Sequence, residues 1–175
     1  MRFTKTSPLI LAVALSAALF AAPSAEAQEP AYVSLSAGAF NLRSATRPEL
    51  GGEVRFQAHR FSWLPRWIPP LAPAAGAFVN SKGGFYVYTG LRADMPLRSS
   101  PWELSIQFAP GVYSAGGQGG FALGGPLEFR SGIEVSRQLG DRDRVGLMLF
   151  HISNAHIYVH NPGSESLVFT WHHRL

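Results

Sequence analysis

Long stretches of this chain alternate apolar and polar residues with a period of two. Successive side chains of a β-strand point to opposite faces, so this period predicts strands with one apolar and one polar face. The stretch 127–139 shows the pattern most clearly. Its apolar face carries Leu127, Phe129, Ile133 and Val135, and its polar face carries Glu128, Arg130, Glu134, Ser136 and Gln138.

Eight such stretches follow one another along the chain. Each has about ten residues, which at roughly 3.3 Å per residue and with some tilt is enough to cross a bilayer. Helical periodicity is scarce, and beyond the N-terminal segment no apolar run is long enough for a transmembrane helix. We therefore predict an all-β chain. The predicted strands are 32–40, 52–63, 71–80, 85–95, 102–113, 127–139, 144–153 and 165–175.

Two architectures accommodate strands of this kind. In a soluble sandwich the apolar faces pack against each other, whereas in a small membrane barrel they face lipid and the polar faces fill the interior. Long strands, an even strand number, and an alternation of turns with longer loops favour an eight-stranded antiparallel transmembrane β-barrel. The turns near 65–70, 96–101 and 140–143 then share one end with both termini, and the loops near 41–50, 80–84, 114–125 and 154–164 share the other.

The first 27 residues have the features of a signal peptide. Arg2 and Lys5 precede the apolar segment 9–20, which is short for a membrane span, and Ala25-Glu26-Ala27 fits an A-x-A cleavage site. Cleavage there leaves 28–175 as one barrel domain. The alternative is an uncleaved anchor helix.

Charge and cysteine content narrow the classes of function. The chain has no cysteine, so an exported form must be stable without disulfides. The net charge is +4, and all basic residues except Lys5 and Lys82 are arginines. Guanidinium groups bind phosphates with paired hydrogen bonds, although ordinary surface charge explains them equally well. No nucleic-acid-binding motif accompanies them, so we expect no nucleic-acid partner.

The apolar residues of the last two predicted strands indicate how these strands pair. If Glu165 lies opposite His151, the pairs that follow are Leu149 with Leu167, Leu147 with Phe169, and Val145 with Trp171, all apolar and on one face. This register brings His151, Ser153 and Glu165 together at the outer end of the barrel, on the surface that faces lipid. Ionisable groups are costly on such a surface, and less so near the interface.

These three residue types can form a nucleophilic site. Ser153 is a weak nucleophile until a base accepts its proton, and His151 lies two residues away on the same face. Glu165 can orient the imidazole and stabilise its charged form. Asn154 or Asn161 could donate a hydrogen bond to the oxyanion of an ester substrate reached from the membrane. The alternative is three polar residues at a loop mouth without catalytic function.

The neighbouring histidines are a further candidate for chemistry. His151, His156 and His160 could together bind a metal ion, but their spacing fits no rigid element. His156 and His160 are more simply interpreted as loop residues.

The sequence His151-Ile152-Ser153-Asn154-Ala155, followed by Asn161-Pro162-Gly163-Ser164-Glu165-Ser166, resembles the C-terminal signature of the lipid A 3-O-deacylase family, the PagL-type outer-membrane enzymes. The signal peptide and the eight-stranded barrel match that family too. The resemblance implies His151 as base, Ser153 as nucleophile and Glu165 as orienting acid, with Asn154 and Asn161 linked to the oxyanion hole. It also implies hydrolysis of the 3-position ester of lipid A, release of a 3-hydroxy fatty acid, and no metal or other cofactor. His156 departs from the small residue that is usual there.

Three functions therefore stand side by side. The first is a lipid A deacylase acting on lipopolysaccharide in the bacterial outer membrane. The second is a phospholipase-like barrel with the same triad, and the third is a structural barrel without catalysis. Membrane lipids are expected partners in each case, and a homodimer is an open alternative to a monomer.

Overall fold

The computed structural model describes residues 31–42, 49–65, 67–117 and 120–175. These residues form eight antiparallel strands that close into a barrel in chain order, with β8 paired to β1. The predicted barrel is therefore confirmed, while the predicted signal peptide, 1–27, lies outside the described residues. The strands are β1 Tyr32–Phe40, β2 Glu49–Gln57, β3 Leu71–Asn80, β4 Phe85–Pro96, β5 Trp102–Ser114, β6 Leu127–Leu139, β7 Asp143–Ser153 and β8 Ser164–Arg174.

Strand β2 is the one element whose predicted limits were wrong. It covers Glu49–Gln57 and not 52–63, whereas the other strands begin and end within one residue of their predicted limits. Beyond Gln57 the hairpin continues with hydrogen bonds from Ala58 N to Pro73 O and from Phe61 N to Leu71 O, both at 2.9 Å. The three-residue step from Ala58 to Phe61 therefore spans the same length of the hairpin as the two-residue step from Pro73 back to Leu71. This extra residue on the β2 side is a bulge, and it ends the regular ladder.

The outward face of the barrel is apolar over the middle of every strand. Large side chains such as Leu35, Val54, Val87, Ile133 and Leu147 are each close to half exposed. Exposure of so much continuous apolar surface is unfavourable in water and is the arrangement of a barrel surrounded by lipid. No helix in the described part of the chain is long and apolar enough to cross a bilayer.

Arginines and carboxylates fill the interior from its middle towards one end. Arg92 donates to Asp94 at 2.7 Å and to Glu134 at 3.0 Å. Glu134 is also hydrogen-bonded to His172 and lies 3.6 Å from Arg55. A barrel of this size is filled by its own side chains, so it forms a rigid support and not a pore. Two further buried pairs complete the network, Arg130 with Glu53 and Arg144 with Glu103.

The rest of the interior is mainly aromatic and apolar, with a few buried polar side chains such as Glu128 and Ser166. Phe40, Phe78 and Phe150 are almost completely buried, and their rings are in contact. Leu123, from the loop between β5 and β6, enters the barrel mouth and is only 1% exposed. Tyr113 holds this loop by donating a hydrogen bond to the carbonyl oxygen of Phe121 at 2.6 Å. The loop thus closes one mouth of the barrel.

The two ends of the barrel differ in their connections. We call the end where β1 begins and β8 ends the inner end, and the opposite end the outer end. The inner end has the short turns 97–101 and 140–142 and the longer connection 58–70. Outer-membrane barrels carry short turns at the periplasmic end and longer loops at the extracellular end. The outer loops are 41–48, 81–84, the β5–β6 loop 115–126 and the β7–β8 loop 154–163.

Candidate active site

Strands β6, β7 and β8 bring Ser131, His151 and Glu165 into one row on the outward face. His151 pairs with Glu165 across β7 and β8, in the register predicted from the sequence, and with Ser131 across β6 and β7. Directly opposed residues have Cβ atoms about 5 Å apart, so their side chains can interact. The row lies close to the outer end, where β7 and β8 enter their connecting loop.

His151 and Glu165 are joined by a hydrogen bond. Nδ1 of His151 lies 3.2 Å from Oε1 of Glu165. The two side chains are 40% and 31% exposed, so they can be reached from outside the barrel. A carboxylate on Nδ1 fixes the imidazole tautomer and leaves Nε2 to accept a proton.

Ser153 follows His151 on the same outward face of β7. It pairs with Phe129 of β6, whose ring stacks on that of Phe108 at 6.1 Å between centroids. The hydroxyl therefore stands at the edge of an apolar surface. Within the described residues no hydrogen bond joins Ser153 to His151, and catalytic hydrogen bonds commonly tighten only when substrate binds.

Ser131 is a second hydroxyl beside His151, and the sequence analysis missed it. Its side chain is exposed, and it lies across the strand pair from the histidine. The available signal was an interruption of the apolar face of β6, where a serine stands between Phe129 and Ile133. Without the β6–β7 register, that interruption could not be connected to the histidine.

Gly163 packs against the imidazole ring of His151. A Cβ added there would lie 2.7 Å from Cε1 and 3.3 Å from Nε2 of the ring. Its φ is +66°, a conformation that glycine adopts without steric cost. Both features require glycine, and together they allow the loop backbone to limit the movement of the ring.

Asn154 is completely buried, and its side chain connects two loops. Nδ2 donates to the carbonyl oxygens of Leu123 and His160, both at 2.8 Å. Oδ1 accepts the backbone N–H of His156 at 3.0 Å. Both amide hydrogens are therefore engaged with backbone oxygens, and the side chain holds the β5–β6 loop against the β7–β8 loop.

Asn161 has a freer amide group. Its Oδ1 accepts the backbone N–H of Asn154 at 3.1 Å, and its Nδ2 lies 3.3 Å from Nδ1 of His156. The residue is half-buried, and the second hydrogen of Nδ2 is available to another acceptor. The side chain of Asn154 is therefore buried, whereas the amide group of Asn161 remains accessible.

Two glycines of the β5–β6 loop, Gly124 and Gly125, allow this loop to lie close against the β7–β8 loop. Gly124, with φ +104°, lies so close to the backbone of His160 that an added Cβ would be 2.8 Å from its carbonyl carbon. The same Cβ would be 2.9 Å from Nδ2 of Asn154, and a Cβ on Gly125 would overlap the ring of Tyr158. This contact could not be predicted from the sequence, because the two loops are about 30 residues apart along the chain.

The histidines considered above as metal ligands do not come together in a metal site in the described residues. No group of three metal-ligating side chains lies together in the described ranges, and His156 and His160 are exposed in the β7–β8 loop. Of the basic residues at the outer end, Lys82 is described and exposed, whereas Arg43 and Arg47 lie outside the described residues.

The chain resembles known outer-membrane barrels in structure. The crystal structure of the outer membrane enzyme PagL superposes with a TM-score of 0.62 and 17% identity, covering 82% of this chain and 99% of that one. Neisserial surface protein A superposes with a TM-score of 0.59 and 11% identity, covering 86% and 100%. A de novo designed transmembrane β-barrel gives 0.55 and 9%, covering 87% and 100%. These likenesses establish the fold.

Sequence comparison identifies the family to which the chain belongs. No curated protein matches this chain significantly in sequence. The family model described as lipid A 3-O-deacylase (PagL) matches residues 50–174, which include β2 from its second residue, all of β3 to β8, and all residues of the candidate site. Together, this match and the fold locate the protein in the bacterial outer membrane. Since the match covers well over half of the chain, the protein belongs to the lipid A 3-O-deacylase (PagL) family.

Proposed function

We propose that this protein hydrolyses the ester at the 3-position of lipid A through a triad of Ser153, His151 and Glu165, releasing a 3-hydroxy fatty acid. The observation that carries the proposal is the hydrogen bond between His151 Nδ1 and Glu165 Oε1 at 3.2 Å. It lies on the outward face near the outer end, two residues from Ser153, within the part of the chain that the family model matches.

The acylation step follows from the roles of these groups. Nε2 of His151 takes the proton of Ser153 while Oγ bonds to the acyl carbonyl carbon, forming a tetrahedral oxyanion. The intermediate collapses, the bond to the sugar oxygen breaks, and His151 returns the proton to that oxygen. Glu165 stabilises the imidazolium that exists between the two transfers.

Deacylation repeats the sequence with water. His151 takes a proton from a water molecule whose oxygen attacks the acyl-Ser153 carbonyl carbon. Collapse of the second intermediate returns the proton to Oγ of Ser153 and releases the fatty acid. Each half-reaction begins and ends with neutral His151, so only water is consumed.

Access from the membrane explains why the triad faces outwards. Lipid A is held in the bilayer by its acyl chains, so the ester must reach the catalytic groups sideways. The rings of Phe129 and Phe108 border Ser153 with the apolar surface that an acyl chain requires. The proposed site therefore lies where an ester of the outer leaflet meets the barrel.

We assign different roles to the two asparagines. The Nδ2 of Asn161 has a hydrogen available, so this residue is the proposed oxyanion donor. Both hydrogens of Asn154 Nδ2 are engaged, so Asn154 acts by positioning: it binds the carbonyl oxygen of His160, the residue before Asn161. Asn154→Leu then lowers kcat through the geometry of the loop.

The test is mass spectrometry of lipid A from a Gram-negative host that produces the protein. Wild type should remove one 3-hydroxyacyl mass, and Ser153→Ala should leave lipid A intact. Ser131→Ala is the matched control, because it removes the other hydroxyl beside His151 and should retain activity. Heat-modifiable migration on gels shows that each variant is folded.

Each alternative to the proposed triad and substrate predicts a different outcome of this experiment. Loss of activity in Ser131→Ala with activity kept in Ser153→Ala would transfer the nucleophile to β6 and refute the triad. Intact lipid A with hydrolysed glycerophospholipid would indicate a phospholipase. No hydrolysis of either lipid by folded wild type would leave a structural barrel.

A further inference from the structure

All four tryptophans of the chain lie at the inner end of the barrel. Trp102 is the first residue of β5, and Trp171 lies three residues before the end of β8. Trp63 and Trp67 belong to the connection 58–70 between β2 and β3. The amphipathic tryptophan ring is stable where hydrocarbon meets polar headgroups, so this one-sided distribution marks an interface at the inner end.

The β2–β3 connection exposes its tryptophans. Trp63 is 74% exposed and Trp67 is 83% exposed, and Phe61 lies 5.7 Å from Trp63 between ring centroids. Aromatic residues beside a turn can form either an interfacial girdle or a hydrophobic cluster beneath a loop. Exposure of this degree excludes the cluster. Most of the surface of both tryptophan side chains is left uncovered by the described residues, at the end where barrel turns are normally short.

Positive charge lies at the same end. Every described arginine that is exposed lies at the inner end. Among the described residues, few acidic groups at this end can balance these arginines: Asp141 is exposed, and Asp143 is paired with His173 at 2.9 Å. The remaining carboxylates of this region point into the barrel and are paired there. The exposed arginines are Arg98, Arg137, Arg142 and Arg174.

The surface is continuous with the lipid-facing belt. Trp102 and Trp171 lie on the outward faces of their strands, and the guanidinium of Arg137 lies 5.9 Å from the centre of the Trp102 ring. An arginine beside a tryptophan at a membrane boundary can bind a lipid phosphate while the ring stays in the interface. A protein partner would have no comparable reason to meet a surface that runs into the bilayer.

We propose that the inner end binds anionic phospholipid headgroups of the inner leaflet, with the connection 58–70 lying in that interface. This inner-end lipid surface comprises Trp63, Trp67, Trp102 and Trp171 with the four exposed arginines. It sets the depth of the barrel from the side opposite to the active site. The proposal does not depend on the hydrolytic activity, and it stands or fails separately.

Tryptophan fluorescence in vesicles tests it. The variant Trp102→Phe/Trp171→Phe keeps Trp63 and Trp67 as reporters of the connection. The mature protein is refolded into vesicles of phosphatidylcholine in which either brominated phosphatidylcholine or brominated phosphatidylglycerol is the quencher. We expect blue-shifted emission, quenching by both lipids, and stronger quenching by the anionic one. Water-like emission without quenching would overturn the proposal, because the connection would then lie in solution.

The arginines are tested by charge removal. Since each arginine beside an anionic surface contributes about a fivefold lipid preference, Arg98→Gln/Arg137→Gln/Arg142→Gln/Arg174→Gln should abolish the preference for the anionic quencher. Lys82→Gln, which removes an exposed cation that the structure describes at the outer end, should leave it unchanged. The preference of the wild-type arginines should also weaken in high salt. Equal preference in both variants would contradict the proposed role of the arginines.

Discussion

Replacement of Gly124 by alanine should damage catalysis without a change in any proposed catalytic residue. Gly124 lies in the β5–β6 loop, against the backbone of His160 in the β7–β8 loop. Its φ of +104° is unfavourable for alanine, and an added Cβ would be 2.8 Å from the His160 carbonyl carbon and closer to its oxygen. The two loops must therefore separate.

The size of the effect follows from the contacts. The His160 carbonyl must retreat by well over ~1 Å to restore an ordinary contact, and a misplacement of ~1 Å already costs roughly 10²-fold in rate. The hydrogen bond from Asn154 Nδ2 to His160 O, now 2.8 Å, would break. Asn161 follows His160, so the proposed oxyanion donor moves with it. We expect kcat to fall about 100-fold, with a smaller change in KM.

The assay compares kcat and KM of purified protein on lipid A in detergent for Gly124→Ala and Gly140→Ala. Gly140 also has a positive φ, +72°, but an added Cβ there would meet nothing within 4 Å. Both variants should lose about 1–2 kcal/mol of stability from backbone strain. Only the first should lose kcat. Equal kcat in the two variants would show that the loop contact does not position the site.

Three further variants test other parts of the account. Glu134→Ala removes the buried carboxylate that Arg92, Arg55 and His172 share, and should destabilise the barrel by about 3–5 kcal/mol in urea titrations. Leu147→Arg, at mid-strand on the lipid face, should cost about 2–4 kcal/mol by the same method, whereas Val79→Arg near the outer end should cost about 1 kcal/mol or less; equal costs would refute the assigned membrane position. Glu165→Gln keeps the shape of the side chain but not its charge, and kcat on lipid A should fall by roughly a thousandfold; an unchanged kcat would remove Glu165 from the triad.

The period of two predicted the strands and their two faces, whereas strand length, even strand number and the alternation of turns with longer loops favoured a membrane barrel over a sandwich. A one-residue shift moves a whole strand face from lipid to interior, so the pattern specifies which side chains point outwards. On the last hairpin it also specified register, since only one alignment puts Leu149 opposite Leu167 and His151 opposite Glu165. The end of β2 could not be predicted, because the extra residue between Ala58 and Phe61 is visible only in the pairing with β3.

Only those residues of the candidate site that are close together in sequence could be predicted. His151, Ser153 and Glu165 belong to one hairpin, and local spacing placed them together. The position of Ser131 depends on the pairing of β6 with β7, which the sequence did not determine. The contact of Gly124 with His160 depends on how two distant loops pack over the barrel mouth. Such contacts carry no periodic signal, so the stretch 114–125 could be predicted only as a loop.

The most direct test of the central claim is covalent labelling of the nucleophile. Refolded protein is incubated with a fluorophosphonate that carries an acyl-like chain, digested, and mapped by mass spectrometry. The account predicts modification of Ser153, no label at that position in Ser153→Ala, and much slower labelling in His151→Ala. Modification of Ser131 instead, or no modification of Ser153 in a preparation that deacylates lipid A, would contradict it.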